Sequence, residues 1–368
     1  MTRTGILLAL LSAALFGAST PFAKLLLGTV DPWMMAGLLY LGAGLGLAVL
    51  HLAKGALRLP AVEAPLRCAD LPWLALVIAV GGILGPLLLM FGLARSDAAS
   101  ASLLLNLEGL ATMGIAWTVF RENVDRRLLL GALAILAGAV LLSWQGHGQE
   151  QGLGQGQGLG QGGLAAGPWG APLIVAACLC WGIDNNLTRK LSSADPVQIA
   201  MLKGLVAGTV NLLLALLGGA VLPPAGTSLA VGIVGFLGYG VSLALFVLGL
   251  RHLGTARTGA YFSLAPFVGA GLAVLMLHEP LSGQLLVAGG LMGLGLWLHL
   301  AERHDHEHAH APMEHEHRHS HDAHHQHGHG PEVPPGEPHA HRHRHAPLTH
   351  RHPHYPDLHH RHGHGPAH

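Results

Sequence analysis

The chain has 368 residues, 20 Lys and Arg against 20 Asp and Glu, with 51% hydrophobic and only 11% charged residues. The even charge excludes a basic nucleic-acid binder and the three cysteines exclude a disulfide scaffold. The 25 charges in the first 301 residues are too few to cover a soluble protein of that size, whereas the last 67 residues hold 24 of the 29 histidines and 15 of the 40 charges. Composition thus predicts a polytopic membrane protein with a soluble tail.

A helix needs about 20 apolar residues to cross the hydrocarbon core. Ten such stretches run in chain order over 5–27, 33–52, 72–94, 97–120, 127–145, 169–188, 197–218, 228–250, 256–277 and 283–300. The predicted fold class is all-α, with ten transmembrane helices and no barrel-like alternation. The first stretch follows Arg3 as a signal peptide would, but its apolar run is too long and its sequence recurs later, so it is read as the first helix. The 52 glycines suit close helix packing in lipid.

With the N-terminus inside, the inner segments carry Arg3, Lys54, Arg58, Arg67, Arg121, Arg126, Arg127, Arg189, Lys190, Arg251 and Arg257. The outer ones carry only Lys24 and Arg95. Positive-inside counting therefore predicts that both termini, and the whole tail, are cytoplasmic.

The chain also repeats itself. At an offset of 157, Gly92, Ala99, Leu107, Gly114, Ala116 and Glu122 fall on Gly249, Ala256, Leu264, Gly271, Ala273 and Glu279. At an offset of 165, Phe16-Gly17 falls on Trp181-Gly182 and Lys24 on Arg189; at 164, Asp31-Pro32 falls on Asp195-Pro196. Each unit holds five helices, an odd number, so the second must enter the membrane inverted. Inverted repeats place a substrate site near the midplane, between halves that rock against each other. The predicted organisation is a first five-helix repeat (1–145), a Gly/Gln-rich linker (146–168), a second repeat (169–300) and a disordered His-rich tail (301–368).

Two tandem five-helix units, each with Trp or Phe before Gly in its first helix and Glu closing its fourth, resemble EamA-type transporters of the drug/metabolite transporter superfamily. The best local match is Leu275-Met276-Leu277-His278-Glu279-Pro280-Leu281-Ser282; its first-half counterpart, Val119-Phe120-Arg121-Glu122-Asn123, lacks the proline. The resemblance covers residues 5–300. It implies a ten-helix exporter or facilitator in the bacterial inner membrane, with Glu122, Glu279 and Pro280 as family-motif residues, and it leaves the substrate open.

Glu108 stands about twelve residues into the fourth span, where an ionised side chain costs roughly 2.5–3.5 kcal/mol unless it faces a cavity or a partner. It is a candidate for binding a cationic substrate or a coupling proton; a buried, hydrogen-bonded acid is the alternative. At the 157 offset its mate is Ala265, followed by Pro266, which frees carbonyls in the ninth helix. Asp184, in the polar run Asp184-Asn185-Asn186, is a cavity candidate or the partner of Arg189. Asn106, Tyr261 and Ser263 are further candidate cavity groups. Lys203 is expected to snorkel to the interface. Glu122 and Glu279 are expected to cap the helix that follows each of them, or to gate. Cys178 and Cys180, two apart on a helix, face different ways and with Cys68 read as unpaired thiols. No nucleophile–base arrangement, P-loop or dinucleotide fingerprint is present, so no enzyme is expected and no cofactor is required.

The tail alternates His with acids and Arg and is too polar to build a core. Its imidazoles suit Ni, Zn, Co or Cu ions, with His304, His306, His308, His310, His315, His317, His319, His321, His339, His341, His343 and His345 as candidate ligands. No four-ligand spacing stands out. The expected function is secondary transport that exports a small solute by alternating access, the tail pointing to a divalent transition metal or a metal-linked metabolite. The alternatives are an organic metabolite, amino-acid or drug exporter with a metal-storing tail, and a membrane metal buffer or sensor that transports nothing. Lipid and a small-molecule or metal-ion substrate are the expected partners; nucleic acid is not.

Overall fold

The structure, a computed structural model, describes residues 3–57, 66–120, 126–144, 169–188, 191, 195–253, 258 and 261–300, together with 305–310, 314–319, 339–344 and 348–353 in the tail. Two compact units separate: one holds the chain up to Leu300 apart from residues 60–64, and the other holds the tail.

The first unit is helical throughout its described residues. Helices α1 (Arg3–Leu27) and α2 (Pro32–Ala56) are joined by a short turn. A third rod is built from α3 (Leu71–Val77), a π-helical segment Ile78–Leu84, and α4 (Gly85–Ala94). Then come α5 (Ala98–Leu104), α6 (Leu107–Phe120) and α7 (Arg126–Trp144). After the linker follow α8 (Gly170–Thr188), α9 (Pro196–Leu217), α10 (Ala225–Gly235), a second π segment Phe236–Val241, and α11 (Ser242–Leu253). Two last helices, α12 (Ala265–Leu277) and α13 (Gly283–Leu300), complete the unit.

Among the described residues, seven helical rods are long and apolar enough to cross a membrane: Thr4–Leu27, Pro32–Ala56, Cys68–Ala94, Ala98–Val119, Arg126–Trp144, Val197–Leu217 and Ala225–Gly249. The other three expected spans coincide with α8, which carries Asp184, Asn185 and Asn186 in its last turns, and with the shorter α12 and α13. Large apolar side chains such as Leu45, Val49, Leu52, Leu133 and Val140 are exposed, while Met34, Met35, Leu39, Leu89, Met90 and Leu93 are fully buried. An apolar exterior of that extent is stable only against lipid.

Local sequence explains several boundaries. The repeated Asp-Pro pairs are helix starts: Asp31 accepts from the amides of Trp33 (2.8 Å) and Met34 (3.2 Å), and Asp195 accepts from Val197 (2.8 Å). The proline that follows supplies a fixed φ where no amide partner is needed. Shifted by 157 residues, the first π segment falls on 235–241, within a residue of the second, so the unusual winding recurs at the offset at which the sequence repeats.

The major packing pairs are α2 with α9, α7 with α13, α6 and α4 with α8, and α1 with α11 and α12. Each joins a helix from the first half of the chain to one from the second, so the halves interleave. Glycine makes two of these crossings possible. A Cβ on Gly204 of α9 would stand 2.7 Å from the Gly44 nitrogen of α2, and a Cβ on Gly269 of α12 would stand 2.8 Å from the Gly17 carbonyl of α1. Both are closer than any side chain tolerates.

In the tail unit, where disorder is expected from composition, the described residues instead form four six-residue strands: β1 (Asp305–His310), β2 (Glu314–His319), β3 (His339–Arg344) and β4 (Leu348–Pro353). β1 pairs with β4 and β2 with β3, both antiparallel. In this register Glu307 stands opposite Arg351, and Glu314 and Glu316 opposite Arg344 and Arg342, whereas Asp305 stands opposite Pro353. The linker 146–168 lies outside the described residues, as do Glu122, Arg189, His304, His321 and His345.

Candidate functional site

The fourth span is broken. Between α5 and α6 the ladder tightens, with Leu105 N–H donating to Ser102 O (3.2 Å), Asn106 N–H to Leu103 O (3.0 Å) and Glu108 N–H to Leu105 O (3.1 Å). The Asn106 side-chain amide donates to Leu103 O at 2.9 Å, so Asn106 serves the break itself. Its mate at the 157 offset is Ser263, and α12 starts just after Ser263-Leu264, with Leu264 N–H on Tyr261 O (3.2 Å) and Pro266 in the first turn. Tyr261 and Ser263 are half-buried at that second interruption. A proline announces the break in the second half; nothing comparable announces it in the first.

The break puts Glu108 in the first turn of α6, half-buried. Its carboxylate accepts from the Asn185 amide of α8 at 3.0 Å, and the same amide group donates to Thr112 Oγ1 at 3.2 Å. Asn186 donates to Thr112 O (3.0 Å) and to Gly182 O (2.8 Å). Two successive asparagines thus fasten α8 to the carboxylate-bearing half-helix. Gly182 permits the approach, since a Cβ there would stand 2.7 Å from the Ala111 Cβ.

Asp184, one residue away, is buried and forms an ion pair with Lys203 of α9, while Thr188 Oγ1 donates to its other oxygen at 3.4 Å. Lys203 therefore does not snorkel to the interface. Gly81-Gly82 of the π segment makes room for this pair: a Cβ on Gly81 would meet the Asp184 carboxyl, and one on Gly82 would stand 3.2 Å from the Lys203 Cγ. The Gly81 carbonyl accepts twice, from Trp181 Nε1 (3.0 Å) and Tyr40 Oη (3.2 Å). π winding offsets main-chain carbonyls from the regular ladder and is frequent at functional sites.

Aromatic rings continue from this point. Tyr40 stacks near Tyr239 (centroids 5.6 Å apart), Tyr239 meets Phe16 edge-on at 5.7 Å, and Phe16 meets Phe262 at 5.3 Å. Tyr40 and Tyr239 lie within electrostatic reach of Glu108, as do Asp184 and Lys203. The sequence singled out Glu108 and Asp184, placed Lys203 at the interface instead of beside Asp184, and missed Tyr40 and Tyr239; the Phe/Trp-Gly match touched Trp181 alone.

Glu279 does something other than cap its own next helix. Its two oxygens accept from the amides of Ala98 (2.7 Å) and Ala99 (2.8 Å), the free N–H groups that open α5 in the other half. Ser282 Oγ instead accepts from Leu285 at the start of α13 (3.1 Å). His278 makes the turn in the left-handed conformation (φ 54°), a helix-ending role usually given to glycine, just ahead of Glu279-Pro280. On the same hairpin, Lys24 donates to Leu93 O and Ser96 O, both at 2.6 Å. A cation thus sits on the carbonyl end of α4 and an anion on the amide end of α5, each favoured by the helix dipole. Glu279→Gln should cost roughly 1.5–3 kcal/mol, the worth of the lost charge-assisted bonds. Thermal unfolding of the purified protein in detergent reads it; an unchanged midpoint would mean the contact contributes nothing.

Cys68, Cys178 and Cys180 are free thiols, and Cys178 Sγ donates weakly to Leu104 O at 3.7 Å. Among the described residues, no three His, Cys, Asp or Glu side chains cluster as a metal site. A cavity of about 780 Å³ opens between α6, α7 and α8, lined by residues such as Leu107, Leu110, Leu136, Val140, Val175 and Leu179. Its lining carries no charge and does not include Glu108, so the polar chemistry lies elsewhere.

Residues 3–144 and again 168–301 match the EamA-like transporter family. An "Uncharacterized transporter" of Methanothermobacter thermautotrophicus is 28% identical over 293 residues, 77% of this chain and 82% of that protein. A "Probable amino-acid metabolite efflux pump" of Salmonella typhimurium is 27% identical over 217 residues, 54% of this chain and 66% of the pump. A solved structure described only as "Crystal structure of protein" shares the fold, with a TM-score of 0.56 at 20% identity over 81% of this chain and 96% of its own. Apolar helices able to span a bilayer, a family match in both halves and transporter relatives agree: this chain belongs to the EamA-like transporter family, whose members are membrane transporters and not enzymes.

Proposed function

We propose that the protein exports a small organic solute bearing an ammonium group by alternating access, and that Glu108 is its central binding carboxylate. The observation that carries this is a division of labour between two carboxylates: Asp184 of α8 is ion-paired with Lys203, whereas the Glu108 carboxylate of α6 accepts from the neutral amide of Asn185. A half-buried carboxylate suits an organic cation, which its charge attracts. The absence of a ligand cluster among the described helical residues favours an organic solute over a bare metal ion. The relative named as an amino-acid metabolite efflux pump supports the same direction and substrate class.

In this reading ten helices form two inverted five-helix repeats, which the recurring π segments, the recurring helix breaks and the interleaved packing support. The protein lies in a bacterial inner membrane with both termini cytoplasmic, as the charge count predicts, and the proton gradient drives export. The His-rich tail binds divalent transition metal on the cytoplasmic side as a store separate from the transport path.

Export assays on cells with and without the induced full-length protein test this. Cells are loaded in turn with amino acids, organic amines, Ni, Co, Zn or Cu, and the contents are corrected for metal held on washed membranes. The expected result is faster loss of one ammonium-bearing solute and no fall in cytosolic metal. A fall in one metal, with every organic solute unaffected, would overturn the reading in favour of metal export.

A further inference from the structure

The two π segments cross the opposite half of the chain in the same way. The first packs on α8 and α9, the second on α1 and α2. Gly81, which makes room for the Asp184 carboxyl, has Gly238 as its mate at the 157 offset, and a Cβ on Gly238 would stand 2.6 Å from the Ser19 Cβ. Ser19 is itself the mate of Asp184 at the 165 offset, and the fully buried Leu39 is the mate of Lys203 at 164. One crossing thus holds an acid and a base where its repeat holds a hydroxyl and an alkyl chain. The second crossing forms without charges, so the packing does not demand them at the first, and a buried ion pair adds little stability over apolar side chains of similar volume.

The charged crossing borders Glu108. Asn185, next to Asp184 in α8, donates to the Glu108 carboxylate, and Glu108 lies within electrostatic reach of both Asp184 and Lys203. The other titratable groups around the pair are Cys180 of α8 and Tyr40 of α2. The third rod and α5 bring none, and α7 and α11 carry theirs in terminal turns, as Arg126, Arg127, Arg251 and His252. Asp184 stands four residues before the end of α8 and Lys203 seven after the start of α9, the ends that the charge count places at the cytoplasm. Lys203 also keeps 18% of its side chain exposed, which leaves its ammonium a way to water.

From this arrangement we infer that Lys203 carries the proton exchanged for the solute, with Asp184 as the counter-ion that holds it in place. An ammonium group arriving at Glu108 from the cytoplasm repels the Lys203 ammonium. One N–H bond of Lys203 breaks, the electron pair stays on Nζ, and the proton leaves to cytoplasmic water. After the solute departs outward, a proton from outside restores the charged lysine. One cation replaces one proton, so the site keeps the same charge throughout. Lysine suits this task because, unlike arginine, it releases its proton when buried near a second cation. The inference rests on the reading that Glu108 binds an ammonium-bearing solute and that the proton gradient drives export; it adds the group that couples them.

Everted membrane vesicles containing the full-length protein test it. Respiration acidifies their interior, an acridine dye reports the interior pH, and the standard amino acids, putrescine and choline are added singly. The unaltered protein should raise the interior pH with at least one of them, and should take up the same labelled solute downhill once a protonophore collapses the gradient. Lys203→Arg keeps the charge but cannot release a proton, so both signals should fall about tenfold or more. Lys203→Met with Asp184→Asn removes both charges: downhill uptake should stay within about threefold of the original, while the pH response falls about tenfold or more. Full activity of Lys203→Arg in both readouts, or a pH response from the double variant, would overturn the assignment and leave the pair as a structural contact. Loss of downhill uptake by a double variant with an unchanged unfolding midpoint would also overturn it, by placing the pair in the solute's path. Uptake by the unaltered protein without any pH response would instead remove the underlying reading that protons drive export, and uptake of none of the solutes would remove the reading that the solute bears an ammonium group.

Discussion

Glu108→Gln should cut export of the solute about 10- to 100-fold, the factor that corresponds to losing a charge-assisted contact of roughly 1.5–3 kcal/mol. The substitution is nearly isosteric and keeps an acceptor for Asn185, so the fold should survive it. Glu108→Ala should lose flux to a similar degree, while also leaving the Asn185 amide with only Thr112. Both variants are compared with the unaltered protein for export rate per folded molecule, using the solute found by the loading assays. Undiminished flux in both would remove Glu108 from the transport path and leave it as a neutral, hydrogen-bonded acid of the helix break. The pair of substitutions separates these cases because only a binding role depends on the negative charge.

Lys203→Met should be the most damaging change for stability, at about 3–5 kcal/mol, because it strands a buried carboxylate. The side chains are 18% exposed for Lys203 and 7% for Asp184, so water can do little to replace the lost partner. Lys203→Met combined with Asp184→Asn should recover most of that loss, since replacing both members of a buried ion pair is often close to neutral. The four proteins form a double-mutant cycle, read by thermal unfolding in detergent, with an expected coupling of about 2 kcal/mol or more between the sites. Strictly additive losses would show that the two residues do not stabilise each other. The pair also ties three rods together, since α8 and α9 supply the charges and the π segment of the third rod supplies the space at Gly81-Gly82.

Much of the fold was legible because its signals are local. Length and hydropathy located the helices; the repeated Asp-Pro pairs located the starts of α2 and α9, where the carboxylates bond to amides two or three residues on. Pro266 marked the interruption in the ninth span. The matching interruption at Leu105-Asn106 carries no such residue and was visible only through its shortened hydrogen bonds.

By itself the sequence determined that the chain is a membrane protein made of apolar helices in two related halves, with one acid deep in its fourth span and a His-rich tail. Those follow from the lipid's demand for apolar surface and internally bonded backbone, which act on every residue alike. Only the tertiary structure decided which charges meet. Glu279 reaches amides at Ala98 and Ala99, some 180 positions earlier, and Asp184 takes Lys203 as its partner. Side-chain rules read along one helix extend about four residues, whereas these partners are set by which helices cross and by the glycines that let them approach.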